Sequence, residues 1–164
     1  MQLIIPNRFH AEAYVTFKQQ LAKEADYIPF EQETPEEALE KAKVTFDKDN
    51  DPFRHIVLAE TGDRIVGYTD VTRPPMEEIS HRAFLELGVL QAYGGKGIGT
   101  ALMDKAESWA KEVGCKTVGF YVVVPNVTAT IMYLKRGYRF EGLRHGAYYK
   151  NGNYHDEYIM AKTL

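Results

Sequence analysis

A glycine-rich stretch in the middle of the chain has the residue types and spacing of an anion-binding loop. The apolar run 85–90 leads into it, four of the six positions 94–99 are glycine, and an amphipathic helical pattern follows. The first backbone N–H groups of a helix have no partner within the helix, and glycines without Cβ atoms would let a pyrophosphate approach them. The alternative is a tight strand-to-helix turn, which needs only one or two glycines.

Two common nucleotide-binding motifs do not fit this loop. A P-loop requires Gly-x-x-x-x-Gly-Lys-[Ser/Thr], whereas Gly95-Lys96 is followed by another glycine and position 90 is leucine. The dinucleotide fingerprint Gly-x-Gly-x-x-Gly fails because Leu102 stands where the third glycine should be. A nucleotide-binding oxidoreductase is therefore disfavoured.

The loop resembles motif A of the GCN5-related N-acetyltransferase (GNAT) family, in which [Gln/Arg]-x-x-Gly-x-[Gly/Ala] follows a strand. The matching residues are Val89, Tyr93, Gly95, Lys96, Gly97, Ile98 and Gly99. The sequence departs from the family at Gly94, where the family has arginine or glutamine. The resemblance implies that the loop binds the pyrophosphate of acetyl-CoA. The residues implied in this binding are Gly94, Gly95, Lys96, Gly97, Ile98, Gly99 and Thr100.

A second stretch, 125–138, resembles motif B of the same family, Asn-x-x-Ala-x-x-x-Tyr-x-x-x-Gly-[Phe/Tyr]. The matching residues are Asn126, Ala129, Tyr133, Gly137 and Tyr138. Helical spacing puts the first three on one face, where they would line a slot for an extended ligand. Taken alone, Asn126 also suits a plain helix N-cap and Tyr133 a core aromatic residue. The resemblance implies that Asn126, Ala129 and Tyr133 contact acetyl-CoA, and that Tyr133 protonates or hydrogen-bonds the leaving CoA thiolate.

Glu86 is a carboxylate in the otherwise apolar strand that precedes the loop. It points to the face opposite Leu85 and Leu87, and burying a charge without a partner is costly. In the reaction that the resemblance implies, an amine attacks only when it is neutral, so a base must take its proton. Glu86 is the candidate base, and a structural ion pair with Arg82 or Lys96 is the alternative.

The edge of the same strand, at Val89 and Leu90, would hydrogen-bond the pantetheine amides of acetyl-CoA as an added strand does. A backbone N–H near Val89 would polarise the thioester carbonyl. Gly88 within a strand indicates a β-bulge, which would splay this strand from the strand 117–124 and open a V-shaped slot.

The elements that position these residues follow from hydrophobic periodicity and turn signals. Helices are predicted at 8–25, 34–47, 97–113 and 126–136, and strands at 55–60, 64–71, 80–90, 117–124, 138–143 and 153–161. Their order predicts an α/β (α+β) architecture, with a central mixed sheet of about six to seven strands flanked by about four helices. This order is also that of the GNAT fold, and we expect a single domain over residues 1–164.

Composition and charge disfavour several other classes of protein. The formal net charge of −3 gives no electrostatic reason to bind nucleic acid. We see no apolar run of membrane length and no signal peptide, and Cys115 is the only cysteine, so a soluble cytoplasmic protein is expected. The spacing of His145, His155, Asp156 and Glu157 matches no common zinc pattern, so no metal site is predicted.

The resemblance implies transfer of the acetyl group of acetyl-CoA, acting as a co-substrate, to a primary amine by direct attack. A non-catalytic acyl-CoA-binding or sensor domain on the same fold is the alternative; Gly94 keeps it open and Tyr133 argues against it. Protein N-termini, polyamines, amino acids and antibiotic amines are all open as acceptors. Acetyl-CoA and the amine are the expected partners, and a homodimer is left open.

Overall fold

The computed structural model describes residues 1–48 and 50–164, and over these residues the chain forms a seven-stranded sheet with four α-helices. The strands are β1 (Gln2–Ile4), β2 (Arg54–Thr61), β3 (Arg64–Thr72), β4 (Arg82–Val89), β5 (Thr117–Val123), β6 (Arg139–Lys150) and β7 (Asn153–Thr163). The helices are α1 (Ala11–Glu24), α2 (Pro35–Phe46), α3 (Ile98–Glu112) and α4 (Val127–Lys135). Within the described part of the chain, no helix has the length and apolarity needed to span a membrane.

The predicted architecture is confirmed, and local signals explain where elements begin and turn. At the start of α2, the Thr34 side chain accepts the N–H of Glu37, whose carboxylate accepts the N–H of Thr34 at 2.7 Å. Between β6 and β7, Asn151 and Gly152 both have positive φ, as a type I′ turn requires.

Two strands differ from the prediction. The three-residue β1, which pairs with β2, is too short to produce a periodic pattern. The predicted strand 138–143 continues as β6 to Lys150, because Tyr148 and Tyr149 pair with β7 beyond a register irregularity. β6 is an edge strand with largely exposed side chains, so the apolar alternation that marks a half-buried strand is missing there.

β4 lies at the centre of the sheet between an antiparallel and a parallel neighbour. Its pairing with β3 is continuous from Phe84 to Val89, but its pairing with β5 ends at Phe84. The predicted divergence of the two strands is therefore present, and the predicted bulge at Gly88 is wrong. Gly88 is required for packing instead: a Cβ there would stand 2.6 Å from Leu21 Cδ2 and 2.8 Å from Tyr68 Cε1.

Alternate residues of β4 and β5 face opposite sides of the sheet. The side covered by α3 is apolar. The residues that β4 and β5 contribute to the hydrophobic core on this side are Ala83, Leu85, Val118, Phe120 and Val122. The intervening residues, including Phe84, Glu86 and Tyr121, lie on the other side. On that side, α1 and α2 pack over β2 and β3 around Phe17, Leu21 and Tyr68.

Candidate active site

The glycine loop joins β4 to the N-terminus of α3, as its pattern predicts. Gly97 is the N-cap residue of α3 with φ +78°, and Gly95 has φ +70°, a conformation that costs other residues energy. A Cβ at either glycine would meet no other heavy atom within 4 Å, so the space beside the loop is open. The first helical bond runs from Ala101 N–H to Gly97 O at 3.0 Å. The N–H groups of residues 98–100 therefore precede the helical ladder and suit an anion.

Other residues of the loop hold its shape. The Gly94 N–H donates to Gln91 O at 3.0 Å, which closes the short 3₁₀ turn Gln91–Tyr93. The Lys96 ammonium donates to Ala92 O at 3.1 Å and lies 5.2 Å from the centre of the Tyr93 ring. The lysine is therefore folded back onto its own loop, which places a positive charge beside the helix N-terminus.

The free edge of β4 lies at Val89 and Leu87. The Leu90 N–H donates to Val66 O and its carbonyl accepts from Tyr93 N–H, both at 2.9 Å, and its side chain is 1% exposed. Leu90 is therefore a core residue whose N–H is bonded to β3, which argues against the predicted role of Leu90 in cofactor binding. Backbone N–H groups alternate between the two edges of a strand, so those of Leu87 and Val89 point to the side from which β5 has diverged.

A cavity of about 380 Å³ opens between the diverging strands. Its lining includes Glu86 from β4, Asn126 and Tyr133 from the α4 segment, and Tyr68 from β3. Two of the proposed chemical groups, the Glu86 carboxylate and the Tyr133 phenol, therefore share one cavity. The described residues that line a larger cavity of about 550 Å³, near His55 and Trp109, include no predicted site residue.

Tyr133 occupies a position that is both core and cavity wall. Its ring lies 4.2 Å from that of Phe120 and 6.0 Å from that of Tyr138, centre to centre. Burial raises the pKa of the Tyr133 phenol to about 12. The phenol is therefore protonated at neutral pH and can donate a hydrogen bond into the cavity.

Asn126 is the N-cap of α4, as its residue type alone suggested. Its Oδ1 accepts from the Ala129 N–H at 3.3 Å, and the residue also lines the cavity. Ala129 packs partly buried against the core beneath the helix. The cap fixes the start of α4 and with it the helix face that carries Tyr133.

Glu86 is exposed and lines the cavity, and the alternative interpretation, an ion pair with Arg82 or Lys96, does not hold among the described residues. Arg82 binds Glu141 at 2.9 Å, and Lys96 is engaged by its own loop. The cross-strand partner of Glu86 is Asp70, which accepts three hydrogen bonds from Arg54, at 3.0 and 3.2 Å from Nε and at 2.5 Å from Nη2. Among the described residues, no basic side chain forms an ion pair with Glu86.

Sequence reasoning missed the far wall of the cavity. Glu157 lines it from β7, opposite Val123 of β5, and forms an ion pair with Arg144 at 3.3 Å. The Arg144 guanidinium also lies 4.2 Å from the centre of the Tyr121 ring. The sequence signal for Glu157 was a carboxylate in an alternating strand, which does not reveal the strand that lies beside it.

Comparison with known proteins agrees with motifs A and B. The family model described as "Acetyltransferase (GNAT) family" matches residues 18–138. An uncharacterized N-acetyltransferase of Mycobacterium tuberculosis is 32% identical over 117 residues, which are 70% of this chain and 70% of that protein. The chain belongs to the GNAT family, and the predicted reaction class, N-acetyl transfer from acetyl-CoA, is confirmed.

Solved structures agree on the fold. The acetyltransferase of the GNAT family from Streptococcus pneumoniae superposes with a TM-score of 0.87, at 23% identity and over 99% of both chains. The acetyltransferase yncA of Salmonella typhimurium, solved with acetyl-CoA, gives a TM-score of 0.83 at 14% identity and covers 100% of this chain and 94% of that chain. At these identities the likeness shows the fold alone.

Proposed function

We propose that this N-acetyltransferase joins a primary amine directly to the acetyl group, with Glu86 acting on the amine and Tyr133 on the leaving sulfur. The observation that carries the proposal is the cavity between β4 and β5, which both side chains line. The same cavity reaches the free edge of β4 at Leu87.

Acetyl-CoA fits the residues present along this path. The open space beside Gly95 and Gly97 suits the pyrophosphate, with N–H groups of residues 98–100 as donors. The N–H and C=O groups of Leu87 and Val89 suit the amides of the pantetheine arm, which would lie in the gap like an added strand. The wall formed by α4, with Asn126, Ala129 and Tyr133, would close the gap on the other side.

The amine must lose a proton before it attacks. An alkylamine has a pKa of about 10.4, so it arrives as an ammonium ion and the Glu86 carboxylate attracts it. Glu86, directly or through a water molecule, takes the proton; the nitrogen then forms its bond to the acetyl carbon. The N–H of Val89 points into the gap and suits the carbonyl oxygen, on which negative charge develops.

Tyr133 acts when the carbon–sulfur bond breaks. A phenol with a pKa of about 12 is a weaker acid than a thiol, whose ordinary pKa is about 8.5. Hydrogen-bond donation to the thiolate is therefore favoured over complete proton transfer. In becoming an amide, the ammonium loses two protons by way of Glu86 and water: one passes to the CoA thiolate and the other to solvent, so that the protons balance.

Release of free CoA thiol over a panel of amines tests the proposal. We expect thiol release that depends on the amine, and a higher melting temperature in the presence of acetyl-CoA. A protein blank corrects for Cys115, which is 4% exposed. A rise in melting temperature without amine-dependent thiol release would instead favour a non-catalytic acyl-CoA-binding domain.

A further inference from the structure

The face of the sheet that carries Glu86 also carries an aromatic wall. Phe84 precedes Glu86 by two residues on β4, so both side chains point the same way, about 6.8 Å apart along the strand. The Phe84 ring lies 5.1 Å from the Tyr121 ring, centre to centre, and both residues line the cavity. An amine held at Glu86 would therefore have its carbon skeleton against these two rings.

The charges in the cavity suit one cation. The described residues that line it include two carboxylates, Glu86 and Glu157. Glu157 is paired with Arg144 at 3.3 Å, whereas Glu86 has no such ion pair among the described residues. A second ammonium group, as in a polyamine, would have to compete with Arg144 for Glu157.

An acceptor that carries a carboxylate beside its amine is disfavoured. Its negative charge would lie near Glu86, and the cations near the cavity already interact with carboxylates of the protein. Arg144 is held between Glu157 and the Tyr121 ring. The Lys18 ammonium lies 4.1 Å from the centre of the Tyr68 ring and 5.3 Å from that of Phe30. Burial lowers the pKa of Lys18, and the nearby Glu86 carboxylate opposes that shift, so Lys18 already interacts with Glu86.

We infer that the acceptor is a small amine with a single positive charge on an apolar body of about one aromatic ring, and that Phe84 and Tyr121 select it. The inference rests on the proposed function and names the class of amine that this site takes. The cavity volume of about 380 Å³ agrees with an acceptor of this size, since it must also hold the acetyl end of the co-substrate.

A panel of four acceptors tests the inference on the wild-type protein. The amines are 2-phenylethylamine, phenylalanine, spermidine and a short peptide with a free N-terminus. Phenylalanine is the matched compound, because it differs from 2-phenylethylamine only by its carboxylate. We expect kcat/KM for 2-phenylethylamine to exceed kcat/KM for each of the other three amines by at least about tenfold. A pocket that fits one substrate discriminates against others by about this factor.

Two variants separate the aromatic wall from the rest of the surface. In Phe84→Ala, the ratio of kcat/KM for 2-phenylethylamine to that for ethylamine should fall at least about tenfold. Tyr154→Ala, which removes a ring that is 75% exposed and outside the cavity, should leave this ratio unchanged. Phe84→Leu, with a smaller loss of volume, serves if the alanine variant does not fold.

The outcomes distinguish this inference from the proposed function. Preference for spermidine, phenylalanine or the peptide would overturn the acceptor class and leave acetyl transfer intact. An unchanged ratio in a folded Phe84 variant would also overturn it. Absence of thiol release with every amine would overturn both the inference and the proposed function.

Discussion

Glu86 and Tyr133 line one cavity from opposite faces of the central sheet. Glu86 lies on the face shared with α1 and α2, whereas Tyr133 packs on Phe120, which faces α3. The gap left where β4 and β5 diverge beyond Phe84 joins the two faces. In the proposed reaction this arrangement brings the amine from one side and the thioester from the other, so the base and the hydrogen-bond donor act on different reactants.

Replacement of Tyr133 by phenylalanine should lower kcat at least about tenfold, roughly 1.4 kcal/mol of barrier. Affinity for acetyl-CoA should change little, because phenylalanine keeps the ring packing on Phe120 and Tyr138. Since the pKa of the phenol is raised to about 12, wild-type kcat should show no loss from Tyr133 ionisation below about pH 10. Thiol-release kinetics measure kcat and its pH dependence, and calorimetric titration measures the affinity for acetyl-CoA.

Tyr149→Phe is the control for that experiment, because Tyr149 is 61% exposed and lies outside the cavity. It should leave kcat unchanged. If kcat of Tyr133→Phe were also unchanged while the chemical step limits the rate, the proposed role of the phenol in leaving-group stabilisation would be wrong.

Replacement of Glu86 by glutamine should remove or shift the acidic limb of the kcat/KM–pH profile. A carboxylate that accepts a proton must be ionised, so its activity is lost as the pH falls, and an amide has no such titration. Glu141→Gln is the matched control, because Glu141 is paired with Arg82 outside the cavity. A Glu86→Gln profile with its original shape and rate, together with a lower melting temperature, would assign Glu86 a structural role.

Much of the architecture followed from local sequence signals. Thr34 and Pro35 mark the start of α2, Gly97 marks the start of α3, and Asn151-Gly152 marks the last hairpin, because each acts through its own backbone or its near neighbours. Such signals depend on a few consecutive residues and do not require knowledge of the partner strand.

The errors at the site concern contacts between residues distant in sequence. A glycine within a strand predicts a bulge, but the reason for glycine at position 88 is the approach of Leu21 and Tyr68 from other elements. The sequence pattern places Leu90 on the cofactor edge, but its N–H is bonded to Val66 of β3. The sequence offers Glu157 only as a metal ligand, because the pairing of β7 with β5, which decides its neighbours, is not visible in the sequence.

Replacement of Gly88 by alanine should lower the free energy of unfolding by about 1–3 kcal/mol, the usual cost of overpacking. The new Cβ would stand 2.6 Å from Leu21 Cδ2 and 2.8 Å from Tyr68 Cε1, so at least one of them must move. Because Tyr68 lines the cavity, KM for the amine should rise as well. Denaturant unfolding of Gly88→Ala and of Gly142→Ala, whose Cβ would lie at 3.4 Å from Ile159, provides the comparison. Equal stability of the two variants would contradict this account.

Replacement of Gly94 by arginine should leave the affinity for acetyl-CoA unchanged or raise it by at most about 1–3 kcal/mol, the range for a hydrogen bond to a charged group. Gly94 has φ −63°, which any residue adopts, and a Cβ would lie 3.2 Å from Gln91 O, so only a small adjustment is needed. Gly94→Met is the control, because methionine is also a long side chain but carries no charge. Calorimetric titration should give this variant an affinity for acetyl-CoA equal to or lower than that of the wild type. Weaker binding by the arginine variant than by the methionine variant would show that the side chain at 94 does not face the pyrophosphate.

Replacement of Gly97 by valine should abolish measurable binding of acetyl-CoA while the fold survives. Gly97 has φ +78°, and its Cβ would meet no protein atom within 4 Å, so the added methyl groups would occupy the open space proposed for the pyrophosphate. Backbone strain alone would also lower stability, by about 1–3 kcal/mol for a branched residue at positive φ.

Gly114→Val separates the loss of binding from the backbone strain, because Gly114, just beyond the other end of α3, has φ +86° and equally open surroundings. Both variants should melt at similarly reduced temperatures with native circular dichroism, and only Gly97→Val should lose the calorimetric signal. Normal binding by Gly97→Val would mean that the loop is only a turn, and the proposed pyrophosphate site would be wrong.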